Sequence, residues 1–94
     1  MIKKLFELGA TVTTPSIAAL IKEDQSFLYE VSDCLRRHVS GDYSEMDVED
    51  IHANFEAIIG GFRVFSAYET SKGRIWIITE ADRSATTILF PNEY

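Results

Sequence analysis

One cysteine, Cys34, is all the thiol chemistry in this chain of 94 residues. That scarcity excludes an intrachain disulfide and a cysteine-based zinc site, and it fits a reducing compartment. No apolar run approaches the ~20 residues that a membrane-spanning helix needs. The start, Met1-Ile2-Lys3-Lys4-Leu5-Phe6-Glu7, carries two lysines, but an acid interrupts the apolar stretch at once, so it does not read as a signal peptide. There is no glycine-rich phosphate loop, nucleophile elbow or Cys–His pair, and Gly60-Gly61 reads only as the end of a helix. Repeats, low-complexity segments and linkers are absent too. Positive charge is also scarce. Nine Lys and Arg stand against fifteen Asp and Glu, a net charge of −6. Generic binding to a phosphate backbone needs a basic surface, so direct nucleic-acid binding is disfavoured. The imbalance is local as well. No Lys or Arg lies between His38 and Arg63, a window that holds Asp42, Glu45, Asp47, Glu49, Asp50 and Glu56.

What is present is an ordinary globular composition. The apolar fraction of 46% is too high for a disordered chain. At this length one core can bury somewhat over ~60% of the unfolded surface, which predicts a single domain over residues 1–94. Phe6, Leu8, Ala10 and Val12 alternate with Glu7, Gly9, Thr11 and Thr13 and read as a first strand. Thr14-Pro15 opens a helix, with Thr14 as a possible cap and proline at the first helical position. Ile17, Leu20 and Ile21 supply its stripe, and Lys22 to Ser26 breaks it, with Asp24 as a new cap. A second helix runs from Gln25 to His38 and buries Phe27, Leu28, Val31, Cys34 and Leu35. Asp33 can pair with Arg36 and Arg37, and Gly41 terminates the helix. A third begins at Ser44 as cap and places Val48, Ile51, Phe55, Ile58 and Ile59 in the core.

Three strands follow: Phe62–Tyr68, Arg74–Thr79 and Ala85–Phe90, with Asn92-Glu93-Tyr94 as a tail. The middle strand is apolar on both faces, Ile75 and Ile77 pointing one way and Trp76 and Ile78 the other. Its second face therefore needs a cover. The fold class expected is α+β, in the order β-α-α-α-β-β-β, with three helices on one face of a four-stranded antiparallel sheet.

Candidate functional residues divide into two groups. One could be catalytic: His38 as general acid, Glu80 as base and Arg83 or Arg63 as a phosphate clamp suit metal-independent RNA cleavage through the 2′-hydroxyl. Against it stand plain roles, His38 as a C-terminal helix cap and Glu80 to Ser84 as a hydrogen-bonded turn. The other group is a binding surface: Asp42, Glu45, Asp47, Glu49 and Asp50 as a docking face for a basic partner, with Trp76 on the sheet. Trp76 and Tyr68 also have the character of a base-stacking platform, but only Arg74 interleaves with them, so core or partner packing is favoured. His52 stands between Glu49 and Glu56, without the further ligands that a metal site requires. No cofactor is expected.

Three stretches, Arg37-His38-Val39-Ser40-Gly41-Asp42-Tyr43, Phe62 to Tyr68, and Ile75 to Tyr94, carry a resemblance. From Gly9 to Tyr94 the chain resembles a group of small bacterial and plasmid-borne proteins. These are usually described only as hypothetical or plasmid-related and are sometimes labelled type I restriction subunits. It departs from their pattern with Tyr43 where a Trp is usual and with a longer segment around Glu23 to Ser32. The resemblance implies a bacterial, cytoplasmic, mobile-element-associated setting and brings no catalytic residue. In architecture alone the chain is similar to RelE-like and barnase-like ribonucleases, none of whose motifs it matches. The function expected is an acidic interaction module. It would bind and modulate a nucleic-acid-processing or defence protein, as anti-restriction and anti-CRISPR proteins do, or pair with itself as a homo-oligomer.

Overall fold

The computed structural model describes residues 3–94 of the chain. Met1 and Ile2, part of the start read above as unlike a signal peptide, lie outside them. The elements are β1 (Ala10–Thr13), α1 (Pro15–Glu23), α2 (Gln25–Ser40), α3 (Val48–Gly60), β2 (Val64–Thr70), β3 (Gly73–Thr79) and β4 (Ala85–Leu89), closed by a 3₁₀ turn at Pro91–Glu93. The α+β class and the β-α-α-α-β-β-β order are as expected. The strands form one sheet in the order β1-β4-β3-β2.

Strands β2, β3 and β4 are joined by short turns and pair antiparallel, whereas β1 pairs parallel with β4. The sheet is therefore mixed, not wholly antiparallel. The three helices after β1 form a connection long enough for a parallel return, and β4 takes the interior place between β3 and β1. The first strand is also shorter than its alternating sequence suggests. Gly9 sits at φ +64° and ends the extended run, because a Cβ there would stand 2.4 Å from the backbone of Arg83 and Ser84. Phe6 consequently lies outside β1 and packs into the core with Val39, Tyr43, Ala57 and Val64.

Helices α1 and α2 cover one face. Ile17, Phe27, Val31 and Cys34 meet Tyr68, Ile75, Ile77 and Ile88 in one cluster, and Phe6, Val39, Tyr43, Ala57 and Val64 form a second. Burial pushes the Cys34 thiol up to about 11, so it stays protonated. Leu28, expected inside, is exposed, and α2 uses Val39 in the core instead. Gly41 ends α2 in the left-handed conformation, as its position predicts.

The opposite face of the sheet is covered partly by the chain itself. Glu93 accepts hydrogen bonds from the Thr14 and Ser16 hydroxyls and from the Phe90 N–H. This pins the last turn beside the start of α1, where a carboxylate meets the positive end of the helix dipole. Thr14 thus occupies the N-cap position but spends its hydroxyl on Glu93. The pinned turn lays Tyr94 against Trp76, with ring centroids 5.7 Å apart, and Phe65 flanks Trp76 from the other side at 4.9 Å. Beneath this aromatic row Ile78 and Leu89 are buried.

Candidate functional site

The residues of the catalytic reading do not meet. His38 has no exposed surface. It continues the buried face of α2 one turn beyond Cys34 and stands between the two apolar clusters. Its Nδ1 lies 2.5 Å from Ser66 Oγ and its Nε2 2.8 Å from Thr79 Oγ1. Thr79 Oγ1 lies 2.8 Å from Thr86 Oγ1, whose hydroxyl donates to the Leu8 carbonyl at 2.7 Å.

That last carbonyl fixes the direction as far as the His38 ring, because it can only accept. Thr86 donates to Leu8, so Thr79 donates to Thr86 and His38 Nε2–H donates to Thr79. Burial keeps the ring neutral, so Nδ1 is unprotonated and accepts from Ser66. Every member is satisfied by a neutral imidazole. Burial lowers the His38 pKa to about 3. The helix-capping role fails with the catalytic one: α2 runs on to Ser40, and the ring faces the sheet.

Glu80 follows Thr79 on β3 and so points to the opposite face of the sheet from His38. There it pairs with Arg63 at 3.0 Å, and Arg63 also donates to the Tyr94 hydroxyl at 2.9 Å. Arg83 is fully engaged elsewhere. It adopts φ 61°, and its guanidinium donates to the carbonyls of Ala57, Phe62, Glu80 and Ala81. It thereby ties the β3–β4 turn to the last turn of α3, sharing the Ala57 carbonyl with the backbone N–H groups of Gly61 and Phe62. Asp82 Oδ1 accepts from the Ser84 N–H at 3.0 Å, which is ordinary turn chemistry. Tyr68, the other aromatic of the stacking reading, is buried on the helix side.

The acidic window behaves differently. Asp42 and Glu45 are claimed by Arg37, at 2.9 Å and 2.6 Å. The Arg37 guanidinium holds the Asp42 carboxyl down at about 2. Among the described residues Asp33 pairs with Arg36 and not with Arg37. Asp47, Glu49, Asp50 and Glu56 have no Lys or Arg partner among the described residues. Glu45, Asp47 and Asp50 line a depression of about 220 Å³ together with Met46, Phe65, Ala67, Arg74 and Trp76. The fold therefore brings Trp76 and part of the acidic window to one place. Glu49 lies on the exposed surface of α3. Among the described residues no group of three or more His, Cys, Asp or Glu is placed to hold a metal ion.

Helix α3 itself is the largest departure from expectation. It begins at Val48 with Asp47 at the N-cap, three positions beyond Ser44, whose hydroxyl donates to Asp42 instead. It stands along the edge of β2. Asn54 Nδ2 donates to the Phe65 carbonyl at 2.6 Å, and Asn54 Oδ1 accepts from the Phe65 N–H at 3.1 Å. The amide thus imitates a neighbouring strand, and Glu45 does likewise for the Glu69 N–H. Both devices close an edge that would otherwise invite another strand.

Of the five residues expected in the core, Ile51 and Ile58 do pack against it, beside Asn54 and Ala57, while the other three turn outward. Val48 is 67% exposed, Phe55 39% and Ile59 88%. With His52 they recur at intervals of four, three and four residues, the seam spacing of packed helices. Phe62, 65% exposed, extends the seam as its ring folds onto Gly60. The apolar spacing was legible in the sequence, but nothing in it distinguished an inward from an outward seam. Asn54 was the available signal, a polar residue between Ile51 and Ile58.

Compared with protein-family models, with curated proteins and with solved structures, the chain matches none.

Proposed function

We propose that this chain is a protein-binding module whose α3 docks onto a basic surface of a partner protein. One observation carries the reading: the outward seam of Val48, Phe55, Ile59 and Phe62 lies in a stretch that contains no Lys or Arg. The apolar side chains act as anchors that desolvate on contact. The unpaired carboxylates of Asp47, Glu49, Asp50 and Glu56 steer and align a partner that carries Lys or Arg around an apolar ridge. Asp47 and Asp50 continue the acidic rim into the depression beside Trp76, which offers a second contact. A protein whose basic face otherwise handles nucleic acid suits this chemistry. With the resemblance to plasmid-borne proteins, a restriction or CRISPR component whose activity the chain modulates is the partner class proposed.

Affinity capture from a bacterial host lysate tests the reading. The wild-type chain is compared with Phe55→Asp, Ile59→Asp and, as a control on another surface, Tyr29→Asp. The expected result is a basic protein retained by the wild type and Tyr29→Asp, lost with either α3 variant and released by added salt. Equal capture by all four folded proteins would overturn the reading, as would metal-independent RNA cleavage by the purified protein.

A further inference from the structure

We propose that the chain forms a twofold dimer by antiparallel pairing of β1 with β1 of a second copy, joining two four-stranded sheets into one of eight strands. The two sheet edges are treated in opposite ways. The β2 edge is closed by Asn54 and Glu45 and screened by α3. Among the described residues the β1 edge has no such device. Ala10 and Thr14 direct their N–H groups at β4, bonding the Ser84 and Ile88 carbonyls. The alternation of a strand then aims the N–H and C=O of Thr11 and Thr13 outward.

Edge strands are normally guarded by charge, proline or a bulge. Here residues 8–21 contain no charged side chain, and three of the four residues of β1 are β-branched. The occupant follows from charge. A chain of net charge −6 meets its own copy at least cost along a strand that carries no charge of its own, the nearby Glu93 carboxylate being held by the Thr14 and Ser16 hydroxyls. The uncompensated acids of α3 sit at the far edge of the sheet, beyond β2.

The register is determined as well. Outward-facing residues must face each other, so Thr11 pairs with Thr13 of the second copy and Thr13 with its Thr11, each pair exchanging both main-chain hydrogen bonds. Val12 then lies opposite Val12 of the second copy, on the twofold axis, at a position without hydrogen bonds between the strands. There the two Cβ atoms approach to ~4.5–5.5 Å. Val12 is 47% exposed in the single chain, and this contact covers it.

Sedimentation velocity on the full chain, with Val12→Cys, Thr11→Pro and Ile59→Asp variants, tests the proposal. Proline at position 11 removes only an outward N–H, so β1 keeps its bonds to β4. The expected result is a wild-type dimer whose dissociation constant rises at least about tenfold in Thr11→Pro, which loses two symmetric hydrogen bonds. Mild oxidation should link Val12→Cys into a disulfide dimer and leave a Tyr29→Cys control unlinked. Circular dichroism confirms that each variant is folded. A chain that stays monomeric leaves the edge to a foreign strand and overturns the proposal. A dimer that survives Thr11→Pro but is lost in Ile59→Asp places the self-contact on α3 and overturns it equally.

Discussion

His38 should make this protein acid-sensitive, and it should do so by a single proton. In the folded chain the ring is neutral, with Nε2–H donating to Thr79 and Nδ1 accepting from Ser66, and burial lowers its pKa to about 3. In the unfolded chain an ordinary histidine takes up its proton near pH ~6.5. Between these values the unfolded state binds one proton more than the folded state, so stability falls as the pH falls. The slope from this one group is ~1.4 kcal/mol per pH unit, or about 2–3 kcal/mol between pH 6.5 and 4.5.

Carboxylates titrate in part of the same range, so the contribution is isolated by difference. His38→Gln retains a donor for Thr79 and has nothing to titrate. Denaturant unfolding of both proteins across pH 4.5–7.5 should show the wild-type advantage shrinking by that amount toward the acid end. If the variant proves too unstable, the wild type suffices: long-range nitrogen–proton NMR correlations should show His38 as the Nε2–H tautomer, unchanged from pH 7 to 4.5. Exposed His52 provides the reference ring in the same spectrum. A stability difference that stays constant with pH, or a His38 ring that protonates near pH 6, would mean that the fold does not hold the ring neutral.

Two further perturbations probe how the fold is closed. Gly9→Ala combines a left-handed backbone with a Cβ only 2.4 Å from main-chain atoms of the β3–β4 turn. Thermal unfolding should register a loss of about 2–4 kcal/mol, and a neutral result would mean that the crossing is looser than described. Asn54→Ala leaves the Phe65 N–H and C=O without partners. It should cost about 2–4 kcal/mol in chemical unfolding and promote association through the freed β2 edge, whereas an unchanged, equally dispersed protein would contradict the edge-closing role.

Much of this structure was legible in the chain, and the misses share a cause. The hairpin strands, α1, α2 and the Gly41 stop follow from periodicity and from residues with special backbone preferences, which act locally. The partners of β1, the outward turn of α3 and the pinned C-terminal turn depend on contacts between distant segments. Glu93 reaches Thr14 and Ser16, Asn54 reaches Phe65, and Leu8 ends the chain of hydrogen bonds that begins at Ser66. Periodicity identified α3 as amphipathic without revealing which side faces the core. The same limit governs the site. The acidic window was visible as charge, but only the fold separates Asp42 and Glu45, held by Arg37, from the carboxylates left free. His38, Glu80 and Arg83 had suitable chemistry, but the chain's alternation turns Thr79 toward His38 and Glu80 to the opposite side of the sheet.

Docking through the outward seam of α3 can be read in living cells by site-specific photocrosslinking. A photoreactive phenylalanine analogue is placed at Ile59 in one protein and at Tyr29 in another, and each is irradiated in host cells. A discrete adduct with one basic protein is expected from position 59, abolished by Phe55→Asp, and none from position 29. The same pattern of adducts from both positions, or no adduct from position 59, would contradict docking through α3.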